Sequence, residues 1–414
     1  MFTPSRLMVL FLAMAVAVPA AAQEADQPPP VEVSHLIGPL HVLLCNGNAQ
    51  MVASIGPDGT LLVDTGYGVT AEAVQKALTD LGGGPARVII NTHGDADHVG
   101  GNAVLGESAV IIAHPAVRRL MGTYFALPAV STDGMPAISV EAETTVYFNG
   151  DVIKLLPVPG GHTAGDVVVH FTGSGVAFLG DVVLAGTFPN ADPARGGDAQ
   201  RLAEVLRGLK ATLPADTVLV PAHGDALSMS ELETYIDMVE GTTAAVASEV
   251  AAGRDLDTIL ERQPLAPWAE WERPDRGLSF DDWTSEIYAS LSGETTQSIC
   301  EPMTEALVKD DVEAAVEVYN TLKMEQPKSW SFAENELNML GYQLLQREMV
   351  DEAIAIFELN VDAYPEAFNT YDSLAEAYMT AGNDTLAIAN YQRSLDLNPD
   401  NTNATAMLTR LRGE

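Results

Sequence analysis

Apolar residues follow two different patterns in the two halves of the chain. Between about residues 33 and 220, short apolar runs alternate with turns rich in Gly and Pro, a pattern typical of β-strands. A few intervening segments carry apolar residues at helical spacing, most clearly 70–81 and 199–213. Strands mixed with helices in one stretch of chain predict sheets that are covered by helices.

Several of the apolar runs predict individual strands. Two of them flank Gly56-Pro-Asp-Gly59, a sequence that favours a tight turn between paired strands. The segments 145–157, 166–172 and 175–179 each predict one further strand. We therefore expect a β-rich domain over 33–240. The following residues, 241–293, combine helical stretches with Trp, Pro and charge, and predict a helical extension and linker.

A second pattern begins near residue 294. Three residues recur 34 positions later and a weaker copy precedes them: Ala315, Tyr319 and Pro327, then Ala353, Phe357 and Pro365, then Ala387, Tyr391 and Pro399. This period resembles tetratricopeptide repeats, which are helix pairs that bury their apolar faces only by stacking. The sequence therefore predicts an all-α helical repeat domain over 294–414. It would be either a stabilising appendage or dimer surface, or a groove that binds a peptide or protein.

The N-terminus has the features of a targeting segment. Arg6 precedes an apolar run over 7–18, and small residues follow up to Ala22, which predicts a signal peptide over 1–22. The Pro-rich residues 23–32 predict a flexible leader. No later run is apolar for long enough to span a bilayer. We therefore expect a periplasmic or secreted protein with no integral membrane segment after signal cleavage.

Charge narrows the class of partner. The chain has 21 Lys and Arg against 57 Asp and Glu, a net charge of −36, which argues against nucleic acid and anionic membrane surfaces. Residues 294–414 alone carry 7 basic and 22 acidic residues, so a partner of the repeats would be neutral or basic. The two cysteines, Cys45 and Cys300, are too few for a disulfide framework, and whether they pair is open.

Side chains that bind metals recur where apolar runs end. The segment Asn91-Thr-His93-Gly-Asp95-Ala-Asp97-His98 follows an apolar run and holds four candidate ligands within six residues. Four further acids or histidines, each at the end of an apolar run or in a Gly-rich loop, are Asp64, His162, Asp181 and His223. Histidine nitrogen and carboxylate oxygen are usual ligands of zinc. Each position alone is typical of a turn or cap, but together they predict a metal centre.

The order of these motifs resembles the metallo-β-lactamase superfamily over residues 33–240. The resemblance implies an α+β fold of four layers, an αββα sandwich with a metal centre at one edge of its two sheets. It also implies a role for each candidate ligand: His93, Asp95 and His162 would hold a first metal, Asp97, His98 and His223 a second, and Asp181 would bridge both. Asp64 would support the metal loop through hydrogen bonds.

The sequence departs from the family's HxHxDH pattern at one residue, because Asp95 replaces the second histidine. Three interpretations follow. Asp95 could ligate zinc directly, since carboxylate oxygen binds zinc at a similar distance. The extra carboxylate could instead favour iron or manganese, as in flavodiiron proteins, which carry a carboxylate at this position. Finally, the first site could be weak or empty, leaving one metal on Asp97, His98 and His223.

A metal centre of this kind predicts hydrolysis. A metal lowers the pKa of its bound water towards neutrality, and the resulting metal-bound hydroxide attacks a carbonyl carbon. Asp97 could orient that hydroxide. No GxSxG elbow or Walker loop offers a competing site. We expect zinc as the cofactor, two ions per chain, and a neutral or cationic small-molecule substrate with an ester, thioester or lactone bond.

The bridging acid narrows the reaction further. In the family, an acid at the position of Asp181 is typical of glyoxalase II-like thioesterases, lactonases and phosphodiesterases, whereas true lactamases usually carry Cys or Ser. A β-lactam hydrolase with the same site is therefore the alternative. A hypothesis of another class is a tetratricopeptide binding or scaffold protein with a degenerate metal site, which only Asp95 supports.

Two loops are candidates for the walls of a substrate pocket, 121–136 and 187–190. In the first, Tyr124 and Phe125 interrupt the core pattern, and the second follows Asp181 closely. The remaining histidines are interpreted as structural residues of strands and strand ends: His35, His41, His114 and His170.

Overall fold

The computed structural model of the chain describes residues 31–45, 49–125, 134–191, 193–273, 278–293, 297–327, 329–345, 347, 349–399 and 401–412. The predicted signal peptide and residues 23–30 of the predicted leader lie outside these ranges, whereas the first strand begins at Val31. Residues 126–133 of the first predicted pocket loop also lie outside them.

Two sheets form the centre of the N-terminal part. Within the described residues, the first sheet has seven strands in chain order: β1 (Val31–Ile37), β2 (Leu40–Cys45), β3 (Ala49–Gly56), β4 (Gly59–Val63), β5 (Ala86–Ile90), β6 (Val110–Ala113) and β7 (Ile138–Ser139). Strands β1 to β4 pair antiparallel, and β4 to β7 pair parallel. The predicted turn at 56–59 joins β3 to β4, which confirms that hairpin.

The second sheet, in the part of the chain that the structure describes, has five strands: β8 (Thr144–Phe148), β9 (Asp151–Pro157), β10 (Val167–Phe171), β11 (Val176–Phe178) and β12 (Val218–Val220). The prediction of one strand over 145–157 is wrong, because this segment divides into the antiparallel pair β8 and β9. Asn149 and Gly150 turn the chain with φ of +51° and +79°. Asn-Gly favours this left-handed two-residue turn, so the sequence contains the information for the hairpin.

Helices cover the outer faces of both sheets and fill the connections. The N-terminal part contains α1 (Ala71–Asp80), α2 (Ala96–Val99), α3 (Asn102–Leu105), α4 (Pro115–Phe125), α5 (Ala199–Thr212), α6 (Met229–Ala251), α7 (Leu256–Arg262) and α8 (Phe280–Ser292). Helices α1 and α5 correspond to the predicted helices at 70–81 and 199–213. The α5 helix begins after Asp198, whose carboxylate accepts hydrogen bonds from two backbone N–H groups of the first turn.

Alternating residues of the central strands explain the layers. In β5, Ile90 packs between the two sheets, whereas its neighbour Ile89 packs against α1. In β10, Val169 faces the first sheet and Val168 packs among α5, α6 and α8. The order of layers is therefore helix, sheet, sheet, helix, which confirms the predicted αββα sandwich.

The residues predicted as a linker, 241–293, pack on the second sheet. They form the end of α6, then α7 and α8. Trp283 of α8 is completely buried in the core shared with α5 and α6, and its indole N–H donates to the Thr242 hydroxyl at 3.0 Å. These helices therefore belong to the outer layer of the sandwich, and the domain limits stay a prediction.

A helical region follows, as predicted. It contains α9 (Cys300–Lys309), α10 (Val312–Glu325), α11 (Glu334–Leu345), α12 (Val350–Ala363), α13 (Phe368–Thr380), α14 (Asp384–Leu397) and α15 (Thr402–Arg412), with the short parallel strands β13 (Gln297–Ser298) and β14 (Trp330–Ser331). The repeated Ala and aromatic residues are buried on the second helix of successive pairs: Ala315 and Tyr319, Ala353 and Phe357, Ala387 and Tyr391. Membership of the tetratricopeptide family stays a prediction.

Among the described residues, two contacts join the helical region to the sandwich most extensively. Helix α4 packs on α9, where Leu120 joins the core of the helical region. Strand β13 contacts the 3-10 turn Pro193–Arg195. Cys45 and Cys300, whose pairing the sequence leaves open, are both buried and are not joined by a disulfide. Of the helices in the described ranges, none is both long and apolar enough to cross a membrane.

Candidate metal centre

The loop after β5 carries the densest group of candidate ligands. Asp95 ends its extended part, and the short helix α2 then turns His98 back towards the strand ends. Thr65 holds this turn, because its backbone N–H and its hydroxyl both donate to the His98 carbonyl, at 2.9 and 3.0 Å. Gly100 is required at the end of the turn, since a Cβ there would collide with neighbouring backbone atoms.

The other candidate ligands come from three further loops at the same edge of the sheets. His162 lies between β9 and β10, Asp181 in a 3-10 turn after β11, and His223 after β12. The Asp166 carboxylate shapes the first of these loops by accepting a hydrogen bond from the His162 backbone N–H at 2.7 Å. The Nδ1 atom of His162 donates to the Asn190 carbonyl at 2.7 Å, so its Nε2 faces the other ligands unprotonated when a metal binds.

The structure brings all seven predicted ligands together as two groups and one shared acid. We name His93, Asp95 and His162 the first half-site, and Asp97, His98 and His223 the second half-site. In the first, Asp95 Oδ2 lies 3.6 and 3.4 Å from the Nε2 atoms of its two histidines. In the second, Asp97 Oδ2 lies 3.6 Å from His98 Nε2 and 3.2 Å from His223 Nε2.

Asp181 lies between the two half-sites. Its Oδ1 is 3.4 Å from His98 Nε2, and its Oδ2 is 3.4 Å from His223 Nε2. The same Oδ2 is 3.8 Å from His93 Nε2 and 3.9 Å from His162 Nε2. One carboxylate therefore reaches the histidines of both half-sites, which is the position that a bridging ligand requires.

The donor atoms fit a metal ion. Four buried polar atoms of the cluster have no hydrogen-bond partner in the described structure: His93 Nε2, His98 Nε2, Asp95 Oδ1 and Asp181 Oδ1. Burying such atoms without a partner is costly. A bound cation would satisfy them, and the mixture of imidazole and carboxylate suits zinc.

Asp64 orients the candidate ligand His98 by contacting the ring nitrogen that faces away from the second half-site. It is completely buried and has a φ of +62°, a conformation that Asp tolerates better than most residues. Its carboxylate accepts hydrogen bonds from the Thr92 backbone N–H at 2.8 Å, the Thr92 hydroxyl at 2.7 Å and His98 Nδ1 at 2.8 Å. This contact places the proton of His98 on Nδ1, so that Nε2 is directed at the second half-site as a lone-pair donor.

The charges of the cluster perturb one another. Burial alone would raise the pKa of the Asp95 carboxyl, but Arg195 holds that pKa well below its usual range. Burial would lower the pKa of His162, yet Asp95 raises it to about 9. Asp181 likewise overcomes burial and raises the pKa of His223 to about 10. Protons therefore compete with a metal ion for these imidazoles, and metal binding would release them.

Arg195 is a charged residue of the site that the sequence does not reveal. It is the last residue of the 3-10 turn Pro193–Arg195, and its guanidinium forms an ion pair with Asp95. The two residues are 100 positions apart, and a single Arg in a polar loop has no motif or periodicity that distinguishes it. Of the two predicted pocket loops, 187–190 does reach the site, because the Asn190 carbonyl contacts His162.

The histidines interpreted as structural lie on strands or at a strand end, apart from the cluster. His35 and His41 pack edge to face across β1 and β2, with ring centroids 5.2 Å apart. His170 lies within β10. His114 accepts a hydrogen bond from the Ala116 backbone N–H at 3.2 Å, just after β6.

A four-layer αββα sandwich with imidazoles and carboxylates gathered at one edge defines a metal-binding hydrolase of the metallo-β-lactamase fold. The comparison with known families agrees, because the model of the metallo-β-lactamase superfamily matches residues 42–223. The chain belongs to this superfamily.

Two relatives and one solved structure show the extent of the similarity. Hydroxyacylglutathione hydrolase of Synechococcus sp. strain JA-2-3B'a(2-13) is 32% identical over 212 residues, 49% of this chain and 77% of the relative. The hydroxyacylglutathione hydrolase of Gloeobacter violaceus is 36% identical over 213 residues, with the same shares of both chains. A metallo-β-lactamase structure from Pontibacter korlensis aligns with a TM-score of 0.44 and 21% identity, covering 51% of this chain and 99% of that one.

Proposed function

We propose that the chain hydrolyses a thioester, or a related ester or lactone, with two zinc ions held by the half-sites. The observation that carries this proposal is the position of Asp181, whose single carboxylate lies within 3.9 Å of histidines from both half-sites. The relatives support the bond type, since they are named hydroxyacylglutathione hydrolase and an acyl group on the glutathione thiol is a thioester.

The residues of the cluster would divide the work of hydrolysis. Zinc, when bound, supplies a nucleophilic water of lowered pKa and polarises the substrate carbonyl. Asp97 is the most exposed of the three carboxylates, with 17% of its side chain accessible against 14% for Asp95 and 10% for Asp181. It would therefore accept a hydrogen bond from the attacking water and orient it. Asp181 would hold both half-sites at a constant separation.

A cavity of about 590 Å³ would hold the substrate; its lining includes Gly94, Thr163 and Arg195, which are sequence neighbours or contacts of the first half-site. Thr163, next to His162, and Arg195 form its wall on the side of the metal centre, and Ser298, Glu301 and Met339 line it from the helical region. The volume suits a small molecule. The helical region would thus supply one wall of the substrate site as well as any surface for a peptide or protein.

Turnover and metal content test the proposal together. We would purify the chain with zinc, supply a hydroxyacyl thioester of glutathione, and follow release of the free thiol with a chromogenic thiol reagent. We expect thiol release that chelation abolishes and zinc restores, with about two zinc ions per chain by elemental analysis. Iron or manganese in place of zinc would revise the cofactor, and metal-dependent cleavage of β-lactams but not thioesters would favour the alternative substrate.

Two matched variants separate the metal centre from the fold. Asp181→Asn should lower both zinc content and turnover, because the amide is a weak ligand and cannot bridge as an anion. His35→Ala, an exposed histidine outside the cluster, should leave both unchanged. An intact protein without metal or turnover, combined with tight peptide binding, would instead support the scaffold hypothesis.

Export is a separate part of the proposal. The composition of residues 1–22 supports a signal peptide and a periplasmic or secreted mature chain. Mass spectrometry of the chain from the exporting cell should give Gln23 as its first residue. A chain that keeps residues 1–22 would contradict cleavage and leave the hydrolase proposal intact.

A further inference from the structure

A cationic side chain contacts the ligand that departs from the family pattern. Arg195 Nη1 donates to Asp95 Oδ2. The same oxygen lies 3.6 Å from His93 Nε2 and 3.4 Å from His162 Nε2. A metal ion in the first half-site would therefore bind a carboxylate that also pairs with a guanidinium.

The backbone builds this contact into the fold. The Arg195 carbonyl accepts a hydrogen bond from the Ala164 backbone N–H at 2.8 Å, which ties its turn to the His162 loop. Gly196 has a φ of +81°, and a Cβ there would lie 2.7 Å from the Ala164 Cβ. Only 12% of the Arg195 side chain is exposed. Arg195 is therefore a fixed part of the site and differs from a mobile surface arginine.

The second half-site is charged differently. Asp97 pairs with His98 and His223, which must both be neutral when they ligate a metal. Its carboxylate charge is then available to attract the cation. In the first half-site the guanidinium compensates the charge of Asp95, and it also repels a divalent ion bound to the same carboxylate. The two half-sites thus have the same ligand types and unequal attraction for a cation.

We infer that Arg195 makes the metal centre asymmetric, so that the second half-site binds zinc tightly and the first binds it at least tenfold more weakly. Arg195 is a positioning residue that acts through Asp95. This inference rests on the proposed metal-dependent function. It also explains how the chain accommodates a carboxylate where the family has a neutral histidine, because the Asp95–Arg195 pair is neutral as a whole.

Zinc titration of the metal-free full chain tests the inference. A chromophoric chelator of known zinc affinity would compete for the ion, and calorimetry would count the classes of site. The variants are Arg195→Gln, which removes the charge, and Arg195→Lys, which keeps it. Arg201→Gln is the control, since Arg201 is half exposed and pairs with Glu204. Circular dichroism of each metal-free variant would show whether its fold is intact.

We expect two classes of zinc site in the unmodified chain, in Arg195→Lys and in the control. Arg195→Gln should tighten the weaker class at least tenfold and leave the tighter class unchanged. Two equally tight sites in the unmodified chain would overturn the inference while leaving the hydrolase proposal standing. A first site that weakens in both Arg195 variants would also overturn it, because Arg195 would then serve by orienting Asp95. Absence of zinc binding in every folded variant would refute both proposals.

Discussion

Asp64→Asn is the substitution that most directly tests how the second half-site is oriented. Asp64 is completely buried and accepts three hydrogen bonds, two from Thr92 and one from His98 Nδ1. Asn has nearly the same shape and tolerates the φ of +62° found at this position. We therefore expect the variant to fold.

The expected loss of zinc affinity follows from the replacement of a hydrogen-bond acceptor by a donor beside His98. The amide oxygen of the substituted side chain can still accept from the Thr92 N–H, but its NH₂ group then faces His98 Nδ1, which is 2.8 Å from the carboxylate in the native chain. To avoid two opposed donors, His98 must move its proton from Nδ1 to Nε2, and Nε2 then cannot ligate a metal. Loss of such a support costs about 10- to 100-fold in metal affinity. This corresponds to about 1.4–2.8 kcal/mol.

The assay is zinc competition on the metal-free protein. Asp151→Asn is the matched control, because Asp151 is another buried carboxylate that accepts backbone hydrogen bonds, from Gly173 at 2.6 Å and Ser174 at 3.0 Å. It lies at the β8–β9 turn, and its variant should bind zinc normally. If Asp64→Asn binds zinc as tightly as the control, then Asp64 does not orient His98 and the argument from tautomers is refuted.

Three further predictions concern stability and pH. Gly341→Ala should destabilise the chain by about 1–3 kcal/mol in urea unfolding, because a Cβ would lie 2.5 Å from Phe357. Gly208→Ala, where the space is open, should instead stabilise the chain by about 0.5–1 kcal/mol. Equal effects of the two substitutions would contradict the packing argument. Burial raises the pKa of Glu376, which accepts a hydrogen bond from Tyr342. The free energy of unfolding should therefore fall as pH rises from the ordinary Glu pKa of about 4.3 through the raised value. Glu376→Gln should reduce the slope of unfolding free energy against pH, and an unchanged slope would refute the raised pKa of Glu376. Chelation of the metal should lower Tm. The decrease in Tm should grow with pH between about 6 and 9, because the metal must displace protons from the imidazoles of the cluster. A decrease in Tm that is independent of pH would contradict the raised imidazole pKa values.

Much of the fold can be predicted from short-range pattern. Apolar periodicity identifies β4, β5, α1 and α5, because a strand or helix that covers one face of a core must repeat its apolar residues every two or about 3.6 positions. The same logic predicts that the candidate ligands meet, since loops at the ends of neighbouring strands lie at one edge. The turn at Asn149-Gly150 is also predictable from these two residues alone, although the apolar residues on both sides resemble one continuous strand.

Other features depend on contacts between distant segments. Trp283 belongs to a stretch that looks like a linker, yet it is buried against α5 and α6, because the second sheet needs a cover and the sequence does not state which helix provides it. The contact of α4 with α9 and the contact of β13 with the Pro193–Arg195 turn have the same origin, since each joins elements that are more than 100 positions apart.

The metal centre shows most clearly which features depend on local sequence and which depend on tertiary contacts. The residue types at the strand ends identify the candidate ligands, because metal chemistry restricts the donors to a few side chains, and the resemblance to the family assigns their roles and that of Asp64. The contact between Arg195 and Asp95 cannot be predicted from the sequence, since an arginine in any other loop could equally have reached Asp95. Only the packing of the Pro193–Arg195 turn against the His162 loop brings that charge to the first half-site. Ligand identity is thus a local property of the sequence, whereas the electrostatic inequality of the two half-sites arises from the folded arrangement.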